Sequence, residues 1–183
     1  ELINKSIKDK EFFKNEELYW RTKSVKTAVF PGSFDPMTNG HLDIVNRASE
    51  LFDKVYVAVG INSSKTPLFT VEERLELVKE SVKDIVNVEV CLVRGLVVSH
   101  AKDLGAKWII KGLRDEEDFR YESDLERNNK FIEKDIETIY FSASRENIST
   151  RSSSIKEFIK YGVDVTEFLP KPFATVIKER FFS

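Results

Sequence analysis

Apolar positions along this chain fall into short dense blocks separated by longer stretches of helical spacing. Residues 25–30, 55–60, 88–93, 108–110 and 138–141 are rich in Val, Ile, Phe and Tyr and read as strands. Between them, apolar residues recur at three- and four-residue intervals over 42–52, 71–82, 96–104 and roughly 117–131, and again over 152–161 and beyond 170, which predicts helices. Thr70 with Glu73 three residues later forms a capping box, and Gly105 and Gly162 stand where a left-handed residue ends a helix. Strands alternating with helices predict an α/β fold, a Rossmann-like doubly wound parallel sheet of five strands with helices on both faces. Ligands bind such sheets beyond the carboxyl ends of the strands, near the switch in strand order.

The loops at 31–41, 62–69, 111–114 and 142–151 each follow a strand, so they are expected to meet at one edge of the sheet. The first is a Gly/Pro-rich turn that runs into a helix with His41 in its first turn. Unpaired backbone N–H groups at a helix N-terminus bind anions, and the histidine adds a side-chain donor. The four loops gather Ser33, His41, Lys65, Lys111, Arg114, Arg145, Arg151, Ser152 and Ser153. A cationic, donor-rich cluster on a chain of net charge −2 suggests polyphosphate ligands.

Composition removes other classes. The net charge argues against a nucleic-acid binder with a broad basic face, and no apolar run approaches the roughly 20 residues that cross a bilayer. The 183 residues are read as one domain, 25–183, preceded by a charged extension, 1–24, expected to be helical and lacking the apolar segment of a signal peptide. Cys91 is the only cysteine, so it forms no internal disulfide; it is expected to be a buried strand residue in a reducing, cytoplasmic setting. Two histidines and one cysteine make no ordinary zinc site, and no metal-ligand set is assigned. The chain has no GxxxxGK[ST] or GxGxxG run, and Ser33 lies in no GxSxG elbow. Direct phosphoryl or nucleotidyl transfer, in which the protein positions reactants and stabilises charge, fits best.

Gly32-Ser33-Phe34-Asp35-Pro36 with Thr38-Asn39-Gly40-His41 is similar to the (H/T)xGH signature of the nucleotidylyltransferase superfamily. With residues 64–74, 111–114, 118–122 and 164–170 in order, the chain resembles the bacterial phosphopantetheine adenylyltransferase family over almost everything from Val25 onward. The resemblance implies that 4′-phosphopantetheine attacks the α-phosphorus of ATP in line, with Mg²⁺ and no covalent intermediate, giving dephospho-coenzyme A and pyrophosphate. It implies catalytic roles for His41, Lys65 and Arg114. ATP would be held by Ser33, Phe34, His41, Gly112, Leu113, Arg114, Glu122, Asn147, Ile148, Ser149, Thr150, Arg151, Ser152 and Ser153. Phosphopantetheine would be held by Ser33, Lys65, Val97, Lys111 and Asn129. A homohexamer with feedback binding of coenzyme A is implied as well.

Two positions depart from the family pattern. Lys111 stands where the family usually has arginine; it keeps the charge but loses the guanidinium fork, which predicts a weaker hold on phosphopantetheine. Arg151 replaces a small residue next to the triphosphate. Taken alone, Glu122 reads as a solvent-facing helix residue, and Arg114 as a partner of Asp115 or Glu116. Two further readings are a sister nucleotidylyltransferase making NAD or a CDP-activated alcohol, and a catalytically silent nucleotide binder. Residues 64–74 and the helix after Arg114 favour the first reading, and the presence of His41, Lys65 and Arg114 disfavours silence.

Overall fold

The computed structural model describes residues 25–61, 66–144 and 151–182. The elements run β1 (Thr27–Gly32), α1 (Asn39–Leu51), β2 (Lys54–Gly60), α2 (Val71–Val82), β3 (Val88–Val93), α3 (Val97–Asp103), β4 (Trp108–Leu113), α4 (Glu116–Ile132), β5 (Glu137–Ser142), α5 (Ser152–Lys160), a 3₁₀ turn (Thr166–Phe168) and α6 (Lys171–Phe181). The five strands form one sheet in the order β3-β2-β1-β4-β5, and every pairing is parallel. The order reverses between β1 and β4. A crevice at their carboxyl ends is therefore the expected ligand site.

Alternation along the strands assigns the two faces. Ala28, Phe30, Val57, Val59 and Ile110 join Ile44, Val45 and Ala48 of α1, Val78 of α2, Ile155 of α5 and Phe173 of α6 in the larger core. Val29, Ala58 and Ile109 point the other way, against Val98 and Ala101 of α3. The doubly wound fold expected from the pattern is thus observed, and each fully buried Val, Ile or Phe contributes ~1.5–3 kcal/mol. The helix stops fall where expected, with Gly105 at φ +68° and Gly162 at φ +72°. Thr70 caps α2 reciprocally with Glu73.

Three expectations need adjustment. β1 begins at Thr27, two residues late, because the Lys26 N–H donates to Asp53 Oδ2 at 2.7 Å and Val25 is exposed. β4 and β5 run on to Leu113 and Ser142, pairing Lys111 with Tyr140, where the Lys-Gly sequence gave no strand signal. Cys91 is half-buried rather than buried, because β3 is an edge strand. Burial and the nearby Glu89 still push its thiol up to about 11, which makes it unreactive. The extension 1–24 lies outside the described residues.

Candidate active site

The turn from β1 into α1 is built around an unusual cap. Thr38 is the N-cap of α1, and its side chain accepts from the His41 N–H. In return the Thr38 N–H donates to His41 Nδ1 at 3.0 Å, so the imidazole takes the place usually filled by glutamate or glutamine in a capping box. Because Nδ1 accepts a backbone hydrogen bond, the ring proton sits on Nε2. Packing edge-on against Phe34, with centroids 5.3 Å apart, fixes the ring plane. Burial first, then the charge of Arg114, lowers the His41 pKa to about 4. At neutral pH His41 is therefore a neutral, oriented Nε2–H donor.

That protonation state can be checked directly. The unfolded imidazole takes up its proton near 6.5 and the folded one only near 4, so the fold loses stability as pH falls through that window. NMR of the two histidines, with His41→Asn to assign them, should show no protonation of His41 between about pH 8 and pH 5.5. A midpoint near 6.5 would contradict this picture of the site.

His41 lines a cavity of about 180 Å³ at the switch point, together with Thr38, Lys111, Gly112, Arg114 and Glu122. Gly112 leaves room for α1: a Cβ there would lie 2.5 Å from Ile44 Cδ1, so the isoleucine side chain would have to shift. Arg114, just past β4, pairs with Asp118 and not with Asp115 or Glu116. Nε donates at 2.7 Å and Nη2 at 2.9 Å to the two carboxylate oxygens, and the Arg114 backbone N–H adds a third bond at 3.0 Å. Asp118 lies in the first turn of α4, where its carboxylate receives both the fork and the backbone N–H. Arg114 holds the Asp118 carboxyl below its ordinary range. Glu122 is not a free surface carboxylate: its Oε2 lies 2.8 Å from Lys111 Nζ, off the hydrogen-bonding axis. The helical spacing of Asp118 and Glu122 places both on the face of α4 turned to the end of β4.

The start of α5 is tied to the same edge. Ser152 Oγ donates to Pro36 O at 2.9 Å, and Arg151 Nη2 donates to Asp115 Oδ2, the N-cap of α4. Lys156 Nζ donates to Asp35 Oδ2 at 2.6 Å, and that buried carboxylate also accepts from the Leu68 and Phe69 N–H groups at 3.0 and 2.9 Å. Ser33 is exposed, Phe34 is buried, Leu113 ends β4 and Ser153 is exposed in the first turn of α5. Val97 packs in the smaller core and Asn129 lies far along α4; neither lines the cavity. The assignments to Lys65, Asn147, Ile148, Ser149 and Thr150 lie outside the described residues.

Asp118, Asp35 and Arg74 went unassigned in the sequence. Arg74 had a signal: it falls on the apolar stripe of α2 with Val78 and Val82, where a charge is out of place. Among the described residues no cluster of three or more His, Cys, Asp or Glu side chains could hold a metal ion. The cavity's donors are mainly cationic and fit a metal only as cargo of phosphate oxygens. Among the described residues no helix is long and apolar enough to cross a membrane.

A parallel sheet with its cationic crevice at the switch point, and a TxGH histidine capping α1, define a nucleotidylyltransferase-type domain. The Cytidylyltransferase-like family model matches residues 29–158. A phosphopantetheine adenylyltransferase from Leuconostoc citreum is 49% identical over 154 residues, 84% of this chain and 97% of that protein. One from Lachnoclostridium phytofermentans is 45% identical over 157 residues, 86% of this chain and 96% of that protein. The chain belongs to the phosphopantetheine adenylyltransferase family. Among solved structures, a bifunctional NMN adenylyltransferase/ADP ribose pyrophosphatase from Francisella tularensis superposes with a TM-score of 0.67 at 13% identity, over 87% of this chain and 51% of that one. That likeness concerns the fold alone.

Proposed function

We propose that this enzyme transfers the adenylyl group of ATP to 4′-phosphopantetheine, forming dephospho-coenzyme A and pyrophosphate in one in-line displacement. A phosphate oxygen of the acceptor attacks the α-phosphorus, and the bond to the bridging oxygen of pyrophosphate breaks. The attacking oxygen is already anionic, so no general base is needed. The observation that carries the reading is His41: with Nδ1 engaged by Thr38 and the proton on Nε2, the ring presents a donor to an α-phosphate oxygen and offers no lone pair for covalent catalysis. Arg114, held by Asp118, adds fixed positive charge beside it, and Lys111 supplies an ammonium for the acceptor phosphate. Lys65 and the 147–150 loop are assigned by resemblance alone. Mg²⁺ would arrive on the nucleotide's phosphates and offset their charge.

The identity to relatives named for phosphopantetheine favours that acceptor over those of the sister enzymes. The homohexamer is implied by the resemblance; α4, which exposes Phe119, Tyr121 and Phe131, offers apolar surface for a contact between subunits. Coenzyme A, which shares the pantetheine arm of the acceptor, is the expected feedback ligand. The displacement is tested with ATPαS of one configuration at the α-phosphorus. One in-line step inverts that centre in the thio-dephospho-coenzyme A product; retention would require two displacements and would overturn the mechanism.

A further inference from the structure

Arg74 is the one buried cation among the described residues, 4% exposed within the apolar stripe of α2. Its hydrogen bonds go to carbonyls rather than to a carboxylate. Nη1 donates to Ser33 O at 2.6 Å and to Gly60 O at 2.8 Å, which ties the turn after β1 to the last residue of β2. Its Nε is buried with no hydrogen-bond partner. Burying a guanidinium is costly without a compensating anion, and two carbonyl dipoles compensate only in part.

The consequence lies in the peptide that follows Ser33. In a planar trans peptide the C=O and the next N–H point in opposite directions. With the Ser33 carbonyl drawn to Arg74, the Phe34 N–H points the opposite way, away from the guanidinium. This orientation puts Phe34 at φ +47°, a left-handed conformation that a bulky side chain rarely adopts. The surroundings hold it there: Phe34 is 1% exposed, and its ring packs on Phe30 and His41 at 5.6 and 5.3 Å. The His41 ring and the Phe34 N–H are thus oriented by one interlocked turn.

We infer that Arg74 is a positioning residue for adenylyl transfer, holding the Ser33 carbonyl so that the Phe34 N–H donates to the nucleotide's phosphates. It also leaves a fixed positive charge one peptide beneath the turn where that negative charge arrives. The inference rests on the proposed reaction, and its test separates the two. In wild-type protein, ATP without acceptor should move the Phe34 amide proton downfield in an ¹⁵N–¹H spectrum; an unmoved amide overturns the inference whether or not turnover is seen. Arg74→Met should lower kcat, per ATP-binding site, by ~10²-fold with ATP KM changed less than about threefold, the signature of a donor used in the transition state. Arg74→Lys, which keeps the charge, should recover part of that loss, and if the Met variant does not fold it carries the kinetic test alone. A merely structural arginine predicts lower Tm in both variants with unchanged kcat per binding site, which overturns the inference. Wild-type protein that binds ATP and shifts Phe34, yet transfers AMP to no acceptor, defeats the proposed reaction and leaves the positioning role standing.

Discussion

His41→Asn is expected to lower kcat by at least ~10²-fold while the protein stays folded, the usual cost of losing one donor aimed at a charged transition state. Asparagine suits the test because its side-chain oxygen can accept from the Thr38 N–H, as His41 Nδ1 does at 3.0 Å. The capping box of α1 is then largely kept, whereas alanine keeps only the Thr38 side-chain half and loses the bond from the Thr38 N–H, worth ~0.5–1.5 kcal/mol of stability. His41→Ala should therefore show the same loss of turnover plus a lower Tm. Because the imidazole is neutral, with its pKa lowered to about 4, the lost contribution is a hydrogen bond and not an ion pair. The defect should for that reason be nearly constant from about pH 6 to pH 8. Steady-state kinetics of both variants beside thermal unfolding checks this, and near-normal turnover in either one removes the role given to His41.

Asp35→Ala is expected to be the most destabilising single change at the site. The carboxylate is 4% exposed and receives the Leu68 N–H, the Phe69 N–H and Lys156 Nζ. Removing it leaves two backbone donors and a half-buried ammonium without their acceptor, and breaking such a pair from one side costs ~3–5 kcal/mol. The effect should reach catalysis too, since Asp35 joins the β1–α1 turn, the segment just after Lys65 and the second turn of α5. Urea unfolding measures the first part; a loss under about 1 kcal/mol would show that the network is not a structural tie.

The doubly wound fold was legible because five apolar blocks and their intervening helices follow simple periods, and the stops at Gly105 and Gly162 follow from backbone sterics. The site was legible where a residue's type matches its chemistry, as for His41, Lys111 and Arg114. Partners were not. Arg114 had four acidic neighbours within four positions, and the helical geometry of α4 selects Asp118. Glu122 looked solvent-facing because it lies in a helix dense with charged residues, yet it faces Lys111 at the end of β4. Asp35 and Arg74 act on backbone groups far along the chain, and no local spacing announces such contacts.

The central claim is adenylyl transfer to 4′-phosphopantetheine, and acceptor-dependent pyrophosphate release tests it most directly. With ATP and Mg²⁺, release should occur with 4′-phosphopantetheine and not with nicotinamide mononucleotide or glycerol 3-phosphate, and dephospho-coenzyme A should appear by mass. Release with one of the other acceptors instead, or none from folded protein that binds ATP, would contradict it.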